Sequence, residues 1–139
     1  MVNIRSAVAS DKEALKQIYK ECRDELGSFD LYMCWQKYIK GESKERYLVA
    51  YDKEVLGIIR FGYSRKYKVN VVHDIGVLKK ARGKKIGQLL LKTAPTPYLL
   101  KCNEDNEGGN NFYKMVGLRC AGKTFTKSRR PQIIWTCAE

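Results

Sequence analysis

The chain has 139 residues, of which 44% are hydrophobic and 30% charged, and its formal net charge is +12. This length predicts one domain, residues 1–139, and the composition is not that of a disordered segment. No apolar stretch approaches the roughly 18 residues that a membrane-spanning helix needs, and the N-terminus lacks a secretory signal pattern. We therefore expect a cytoplasmic protein without a membrane partner.

The five cysteines are too widely spaced for a disulfide framework or a structural zinc site. They are Cys22, Cys34, Cys102, Cys120 and Cys137. Cysteine-based metal sites use short, regular spacings such as CxxC, often with histidines nearby, and the chain has one histidine. We expect reduced, mostly buried thiols and no bound metal.

The positive charge is confined to the second part of the chain. Residues 1–59 contain 10 Lys/Arg and 10 Asp/Glu, whereas residues 60–139 contain 17 and 5. Such a concentration of like charge favours an anionic partner, whether a cofactor, a substrate or a polymer. The alternative is a solvated basic surface that only keeps the protein soluble.

Hydrophobic periodicity and turn residues predict an α/β protein: a mixed central sheet of about seven strands with about four helices on its faces. Ser10 and Glu13 form a capping-box pattern that predicts the start of the first helix, which ends at Gly27. Further helices are predicted at 31–39, from 82 to a proline-rich stop at 94–97, and at 109–116. The strands are predicted at 2–8, 46–51, 55–63, 69–77, 98–102, 119–126 and 132–137.

The segment RGKKIG, residues 82–87, follows a predicted strand and opens a predicted helix. The first N–H groups of a helix have no intrahelical partner, and the helix dipole adds positive potential there. Because Gly83 and Gly87 lack Cβ atoms, a phosphate could approach the backbone. The charged residues of the segment are Arg82, Lys84 and Lys85. Alone, this pattern is weak, since many basic surface turns share it.

Residues 77–87 resemble the acetyl-CoA pyrophosphate segment of the GNAT acetyltransferase superfamily, whose pattern is Arg/Gln-x-x-Gly-x-Gly/Ala. Arg82 and Gly87 match its first and last positions, whereas Lys85 replaces the middle glycine. We expect this lysine to adopt helical backbone geometry. Its side chain then turns away from the phosphates or contacts them.

A second segment, residues 106–118, resembles the GNAT pattern Asn-x-x-Ala-x-x-Phe-Tyr-x-x-x-Gly-Phe. The matching residues are Asn106, Phe112, Tyr113 and Gly117. Gly109 replaces the usual alanine, which weakens a helix by roughly 1 kcal/mol, and Leu118 replaces the final phenylalanine. The two segments are specific jointly rather than singly, and the predicted element order agrees with the fold of this superfamily.

The resemblance implies an acetyl-CoA-dependent N-acetyltransferase in which a primary amine attacks the thioester directly, with donor and acceptor bound together. Acetyl-CoA, the acyl donor, would lie between the fourth and fifth strands. Backbone groups of Ile75, Val77 and Leu78 would pair with pantetheine. The implied pyrophosphate ligands are the backbone groups of Arg82, Gly83, Lys84, Lys85, Ile86 and Gly87. Asn106 would orient donor or acceptor, or simply cap its helix.

Three residues are candidates for proton transfer. Tyr113 stands at the general-acid position of the superfamily, although it also fits a packed core aromatic. His73 and Asp74 are the candidate bases, and because neighbouring strand residues point to opposite faces, at most one should reach the cleft. His73 is alternatively a buried structural histidine. Cys102 could form an acyl-enzyme, but no histidine partner is suggested and packing is the expected role.

The charge supports an alternative: a basic module of the same fold, with little or no catalysis, that binds nucleic acid. Besides Lys85, its basic residues are Arg65, Lys66, Lys68, Lys127, Arg129 and Arg130. The aromatic residues suited to base stacking are Tyr63, Tyr67 and Phe125. The two interpretations combine if the acceptor is a protein lysine or an amine associated with nucleic acid.

The acceptor pocket has no transferable pattern. Aromatic residues of the second predicted helix are candidates for lining it, and ordinary core or dimer packing is the alternative. They are Phe29, Tyr32, Trp35 and Tyr38. We expect a monomer or a homodimer.

Overall fold

The computed structural model describes residues 1–30 and 33–138. The strands are β1 (Asn3–Ser6), β2 (Arg46–Asp52), β3 (Glu54–Ser64), β4 (Val69–Val77), β5 (Tyr98–Asn103), β6 (Arg119–Phe125) and β7 (Pro131–Cys137). The α-helices are α1 (Lys12–Glu21), α2 (Arg23–Leu26), α3 (Cys34–Ile39), α4 (Ile86–Leu91) and α5 (Glu107–Met115). The predicted start of the second helix at Leu31, and the candidate pocket residue Tyr32, lie outside the described residues.

The strands form one mixed sheet in the order β1-β2-β3-β4-β5-β7-β6. Neighbouring strands are antiparallel except β4 and β5, which are parallel. A parallel pair needs a crossover connection, and α4 supplies it. The predicted α/β class and mixed seven-stranded sheet are confirmed. The described residues contain five α-helices rather than about four, because the first predicted helix is divided into α1 and α2.

The start of α1 is organised by Asp11, so the predicted capping box of Ser10 and Glu13 is wrong. Oδ2 of Asp11 accepts hydrogen bonds from the backbone N–H of Val8 at 2.8 Å and from the Arg5 guanidinium at 2.7 Å. A 3₁₀ turn, Ala9–Asp11, leads directly into the helix. The partner that fixes this helix start therefore comes from β1 rather than from the helix itself.

The helices pack on both faces of the sheet, and two glycines allow them to approach it. A Cβ on Gly76 would lie 2.9 Å from Cδ1 of Leu26 in α2, and a Cβ on Gly57 would lie 3.1 Å from Cδ1 of Leu90 in α4. In the antiparallel β3–β4 pair, Gly57 is opposite Val77 and Gly76 is opposite Ile58. The two glycines thus face opposite sides, which places α1 and α2 on one face and α4 on the other.

The local turns agree with their sequence patterns. The predicted hairpin of β2 and β3 is confirmed: Asp52 pairs with Glu54, and Lys53 adopts a left-handed φ of 69° between them. Residues 64–68 connect β3 to β4, and residues 126–130 connect β6 to β7. In the described part of the chain, no helix is long and apolar enough to cross a membrane.

Candidate functional site

The strands β4 and β5 pair only near their beginnings and then separate. Residues 70–72 pair with residues 98–100, whereas β4 continues to Val77 and β5 to Asn103. A cavity of about 780 Å³ lies between the separated ends. This volume is in the range of sites for cofactors and small-molecule ligands. The cleft lies between the fourth and fifth strands, as expected from the sequence.

The edge of β4 that faces this cleft presents backbone polar groups. The Leu78 N–H donates to the Leu56 carbonyl at 2.9 Å, which sets the alternation of the antiparallel ladder with β3. By that alternation, Ile75 and Val77 direct their N–H and C=O groups away from β3 and toward the cleft. We expected the backbone of Leu78 to pair with pantetheine as well. Its N–H instead donates to Leu56 and its carbonyl accepts from the Ala81 N–H, so both groups already have partners.

The 82–87 turn closes one end of the cleft, but α4 begins at Ile86 rather than at Arg82. Gly83 has a φ of 84° and Lys85 a φ of 62°, so both are left-handed. Lys85 therefore does not adopt the helical geometry that we expected. Left-handed residues within a turn direct successive N–H groups to one side, as in anion-binding nests.

The two glycines of this turn have different functions in the structure. A Cβ on Gly83 would have no atom within 4 Å, so this position is open. A Cβ on Gly87 would lie 3.0 Å from Cζ of Phe112. The missing Cβ of Gly87 therefore allows α5 to pack against α4, and Gly87 also lines the cavity.

The basic residues of the turn are placed differently. Arg82 folds back along the cleft: its Nε donates to the Val77 carbonyl at 3.3 Å, and a terminal nitrogen lies 3.6 Å from Sγ of Cys22. Both Lys84 and Lys85 are exposed, and of the two, Lys85 lines the cavity. Ile86 is buried at the start of α4 and is also among the residues that line the cavity.

Tyr113 projects from α5 into the buried wall of the cavity. Its ring contacts Phe112 with centroids 5.4 Å apart and Trp135 with centroids 6.4 Å apart. Burial, and secondarily the nearby Cys102, raises the pKa of the Tyr113 hydroxyl. The hydroxyl is thus protonated at neutral pH and is able to donate.

Asn106 also lines the cavity, and the structure shows it as a helix cap. Its Oδ1 accepts a hydrogen bond from the Gly109 N–H at 3.0 Å, at the first turn of α5. Next to it, burial raises the pKa of the Cys102 thiol to about 11. At neutral pH that sulfur is a thiol rather than a nucleophilic thiolate, in agreement with the expected packing role.

A β-bulge changes the relation between His73 and Asp74. Asp74 is opposite Arg60 and Val72 is opposite Phe61, so His73 is an extra residue in β4. The bulge interrupts the regular alternation of side-chain directions from which we expected His73 and Asp74 to point to opposite faces. Both side chains join one ion network. Nε of Arg60 lies 2.9 Å from Oδ2 of Asp74, and Arg60 also contacts Glu45, which contacts His73.

The two candidate bases nevertheless line different cavities. His73 lines the 780 Å³ cleft together with Tyr113. Asp74 lines a separate cavity of about 110 Å³, where its Oδ2 accepts a hydrogen bond from the Tyr19 hydroxyl at 2.6 Å. Of the two, His73 is therefore the residue that faces the cleft.

Comparison with known families agrees with this architecture. The profile described as "Acetyltransferase (GNAT) family" matches residues 12–118, which is most of the chain. The chain belongs to the GNAT acetyltransferase family. The match includes the cleft-lining parts of β4 and β5 and the 82–87 turn, and it ends just after α5. The family resemblance of the two sequence segments is thereby confirmed. No curated protein sequence matches the chain.

Solved GNAT structures share this fold over nearly their whole length. A GNAT acetyltransferase from Bacillus cereus superposes with a TM-score of 0.79 at 18% identity, covering 100% of this chain and 98% of that one. NAA60 from Arabidopsis thaliana in complex with acetyl-CoA has a TM-score of 0.74 at 15% identity, with coverages of 99% and 98%. A Salmonella typhimurium acetyltransferase that modifies the N-terminal serine of a 50S ribosomal subunit protein has a TM-score of 0.76 at 14% identity, with coverages of 99% and 95%.

Sequence reasoning missed the groups around His73, namely Glu45, Arg60 and Tyr19. One signal was present: Arg60 interrupts the apolar run of β3 and is 15% exposed. A buried cation needs carboxylate partners, and here Asp74 and Glu45 hold the pKa of Arg60 above its ordinary value despite burial. The partners themselves come from distant elements, so the sequence did not identify them.

The aromatic residues proposed for the acceptor pocket belong instead to the core in the described structure. Trp35 is 3% exposed and contacts Phe29, Tyr38 and Tyr47 at centroid distances of 6.0, 5.6 and 5.2 Å. The Tyr38 hydroxyl donates to the Ala7 carbonyl at 2.7 Å. Neither described cavity is lined by Phe29, Trp35 or Tyr38, which favours the packing alternative.

The basic loops of this GNAT protein lie at opposite ends of the sheet. Residues 64–68 lie where β4 and β5 begin, and residues 126–130 lie beside the far end of β5, where Asn103 pairs with Gln132. The first loop contacts a residue of the cleft lining in β5: Lys101 donates to the Tyr67 hydroxyl at 2.8 Å. Tyr63 and Phe125 are exposed. The loops therefore do not form one surface at a single end of the sheet.

Proposed function

We propose that this protein transfers the acetyl group of acetyl-CoA to a primary amine by direct attack, with both substrates bound together. The observation that carries the proposal is the cleft between β4 and β5, because the outer edge of β4, the 82–87 turn, Tyr113 and His73 all border one cavity. The acetyl-CoA complex of the structurally similar Arabidopsis NAA60 supports the donor assignment.

The donor fits this cleft in two parts. The pantetheine arm carries amides that pair with the backbone groups of Ile75 and the N–H of Val77, as an added strand would, whereas the Val77 carbonyl already accepts from Arg82. The diphosphate lies against the N–H groups of the 82–87 turn, where Gly83 leaves space. Arg82, Lys84 and Lys85 supply positive potential around that turn. This orientation brings the thioester into the cavity between β4 and α5.

The chemistry requires a neutral amine. Deprotonating a lysine-like amine with a pKa near 10.4 at pH 7 costs about 4 to 5 kcal/mol. His73 is suited to take that proton because burial, with Arg60 nearby, holds the pKa of its imidazole below the ordinary value. The ring is thus neutral at pH 7 and acts as the general base.

The bonds and protons balance with water as the only exchange partner. The proton of the ammonium passes through the neutral His73 imidazole to water, and the neutral amine nitrogen then forms a bond with the thioester carbonyl carbon. The tetrahedral intermediate collapses with loss of the C–S bond: the sulfur takes the Tyr113 hydroxyl proton, and the second proton lost by nitrogen passes to His73. Exchange with water then returns a proton to Tyr113 and removes one from His73, so one proton is released per acetyl group transferred.

The acceptor belongs to one of two classes in this proposal, a protein lysine or an amine associated with nucleic acid. The net charge of +12 supports an anionic carrier for that amine, since a single CoA has only a few phosphate charges. Mass spectrometry of products from a panel of amines, proteins and nucleic acids identifies the class. Acetylation of small polyamines alone would argue against an anionic carrier.

The donor assignment is tested by ligand-dependent stability. Acetyl-CoA at 100-fold over its Kd should raise the free energy of unfolding by about 2.7 kcal/mol, a shift of several degrees in Tm. Acetyl-pantetheine, which lacks the diphosphate, should bind more weakly because it does not reach the 82–87 turn. No Tm shift at millimolar acetyl-CoA would refute the proposed function.

A further inference from the structure

Glu45, which lies immediately before β2, connects the candidate base to a buried ion cluster. One carboxylate oxygen, Oε2, lies 3.2 Å from Nε2 of His73, and the other, Oε1, lies 2.8 Å from a terminal nitrogen of Arg60. The exposed fractions of the side chains are 26% for Glu45, 33% for His73 and 15% for Arg60. Glu45 thus bridges a residue of the cleft and a residue of the sheet interior.

The far side of the cluster is anchored in the core. Arg60 directs its Nε to Asp74, and Asp74 also accepts a hydrogen bond from Tyr19 in α1. The guanidinium is therefore held at two nitrogens by two carboxylates from different elements. Because Arg60 is fixed in this way, the carboxylate of Glu45 has a defined position beside the imidazole.

The cluster has a net negative charge until the imidazole is protonated. Arg60 contributes one positive charge, and Glu45 and Asp74 contribute two negative charges, at distances where such charges interact strongly in a half-buried site. A proton on His73 makes the cluster neutral. The cluster thereby stabilises the state that His73 reaches after it has accepted a proton.

We propose that Glu45 is a positioning residue for His73: it orients the imidazole at the cleft and stabilises the imidazolium formed when the acceptor amine loses its proton. This inference rests on the proposed function. Nε2 faces Glu45, so the proton from the amine nitrogen goes to Nδ1, and it leaves to water after the acetyl transfer. Glu45 itself does not contact substrate.

The groups around His73 predict the direction in which its pKa responds. Burial, Arg60 in β3 and Lys101 in β5 lower the pKa, whereas Glu45 and Asp74 oppose them. Replacing Glu45 with glutamine removes one opposing charge and keeps a similar side-chain volume. The pKa of His73 should therefore fall further, by about one unit, the lower end of the range for a carboxylate within this distance.

The chain is well suited to this measurement because His73 is its single histidine. NMR titration of the imidazole resonances needs no assignment and reports the pKa without any activity assay. The variants are Glu45→Gln and Glu45→Asp, with Glu42→Gln as a control in the same loop, where the glutamate is exposed. The aspartate keeps the charge and should retain most of the wild-type pKa. The control should leave it unchanged.

Kinetics give a second readout. In Glu45→Gln the acid limb of the kcat/KM profile should move to lower pH with the NMR value, and kcat should fall by about tenfold, less than removal of a general base costs. The KM for acetyl-CoA should not change, because Glu45 is not in the lining of the donor cleft. Glu45→Asp should recover most of kcat.

The direction of the NMR shift separates this proposal from a structural role. If Glu45 only maintained the fold, its loss would expose the imidazole, and the His73 pKa would rise toward 6.5. A rise, or an unchanged titration, overturns the proposal. If the pKa falls in Glu45→Gln but wild-type protein acetylates no amine, the electrostatic coupling stands and the proposed function is what fails.

Discussion

The side chain of Asn106 lies so close to Gly109 that a Cβ at position 109 would be 2.6 Å from the Asn106 Nδ2. The same Cβ would be 3.0 Å from Sγ of the buried Cys102. This proximity accounts for the departure from the family pattern, which has alanine here. The glycine allows Asn106 to accept the hydrogen bond from the Gly109 N–H that caps α5.

We expect Gly109→Ala to lower the free energy of unfolding, although alanine is the better helix former. The gain in helix propensity is about 1 kcal/mol, whereas displacing the cap costs about 1 kcal/mol and the contact with Cys102 adds an overpacking cost of about 1 to 3 kcal/mol. Urea denaturation followed by circular dichroism measures the difference.

Gly108 supplies the matched control for this prediction. A Cβ at position 108 would meet its nearest neighbour, Oδ1 of Asn106, at 4.0 Å, which is ordinary contact. Gly108→Ala should therefore raise the free energy of unfolding by up to about 1 kcal/mol. If both alanine variants were stabilised equally, the close contact at Gly109 would not constrain the protein.

Lys85 has a left-handed backbone, with a φ of 62°, where the family pattern has glycine. A left-handed conformation costs a residue with a Cβ roughly 1 to 2 kcal/mol, and glycine avoids this cost but loses more chain entropy on folding. We expect Lys85→Gly to stabilise the protein by about 0.5 to 1 kcal/mol. Equilibrium unfolding in urea at neutral pH measures this change.

Lys84 provides the comparison within the same turn. It does not have a positive φ, so glycine at this position relieves no backbone strain and increases the entropy of the unfolded chain. Lys84→Gly should therefore destabilise the protein by several tenths of a kcal/mol. Equal effects at the two lysines would mean that the left-handed geometry at Lys85 carries no strain.

Much of the fold was predictable from local patterns, because those patterns depend on nearby residues. Alternating apolar residues and turn residues located the strands, including the hairpin at Lys53. The cleft was located through the resemblance of the segments at 82–87 and 106–118 to the GNAT patterns, and these segments lie on either side of β5. In each case, the residues that determine the structure are close together in the sequence.

The features that were mispredicted depend on partners distant in the chain. The capping of α1 depends on Arg5 from β1, and the conformation of Lys85 depends on how the turn joins α4 to the sheet. The ion network that joins His73 and Asp74, which the sequence did not indicate, depends on a register shift against β3. Period-2 alternation assumes a regular ladder, so a bulge that arises from strand pairing defeats it.

Asp11 should make the stability of the protein depend on acid pH. It accepts two hydrogen bonds from Arg5, at 2.7 and 2.9 Å, and another from the Val8 N–H, and the Arg5 bond holds the pKa of Asp11 below its ordinary value of 3.8. Because the folded-state pKa is depressed, this stabilisation is fully present above pH 3.8 and is lost as the pH falls through the folded-state pKa.

The variant Asp11→Asn should therefore be less stable than wild type by about 2 kcal/mol at pH 7, as for loss of hydrogen bonds to a charged group. The difference should shrink as the pH drops below 3.8. Urea titrations at pH 7, 5 and 3 follow it. Asp52→Asn is the control: Asp52 pairs with the N-terminal amine in an exposed contact and should change little. A difference independent of pH would contradict the assignment.

Tyr113 should affect turnover more than donor binding. Tyr113 lines the cleft, and its hydroxyl remains protonated because burial raises its pKa, so it supplies a proton only when the developing thiolate is close. Tyr113→Phe keeps the ring contacts with Phe112 and Trp135 and removes that proton. We expect kcat to fall by about 10²-fold or more, with the Kd for acetyl-CoA little changed.

Tyr98→Phe is the control for this prediction: it removes a buried tyrosine hydroxyl outside the cleft lining and should retain full turnover. Wild-type kcat in Tyr113→Phe would show that the leaving thiolate is protonated by another group, such as water.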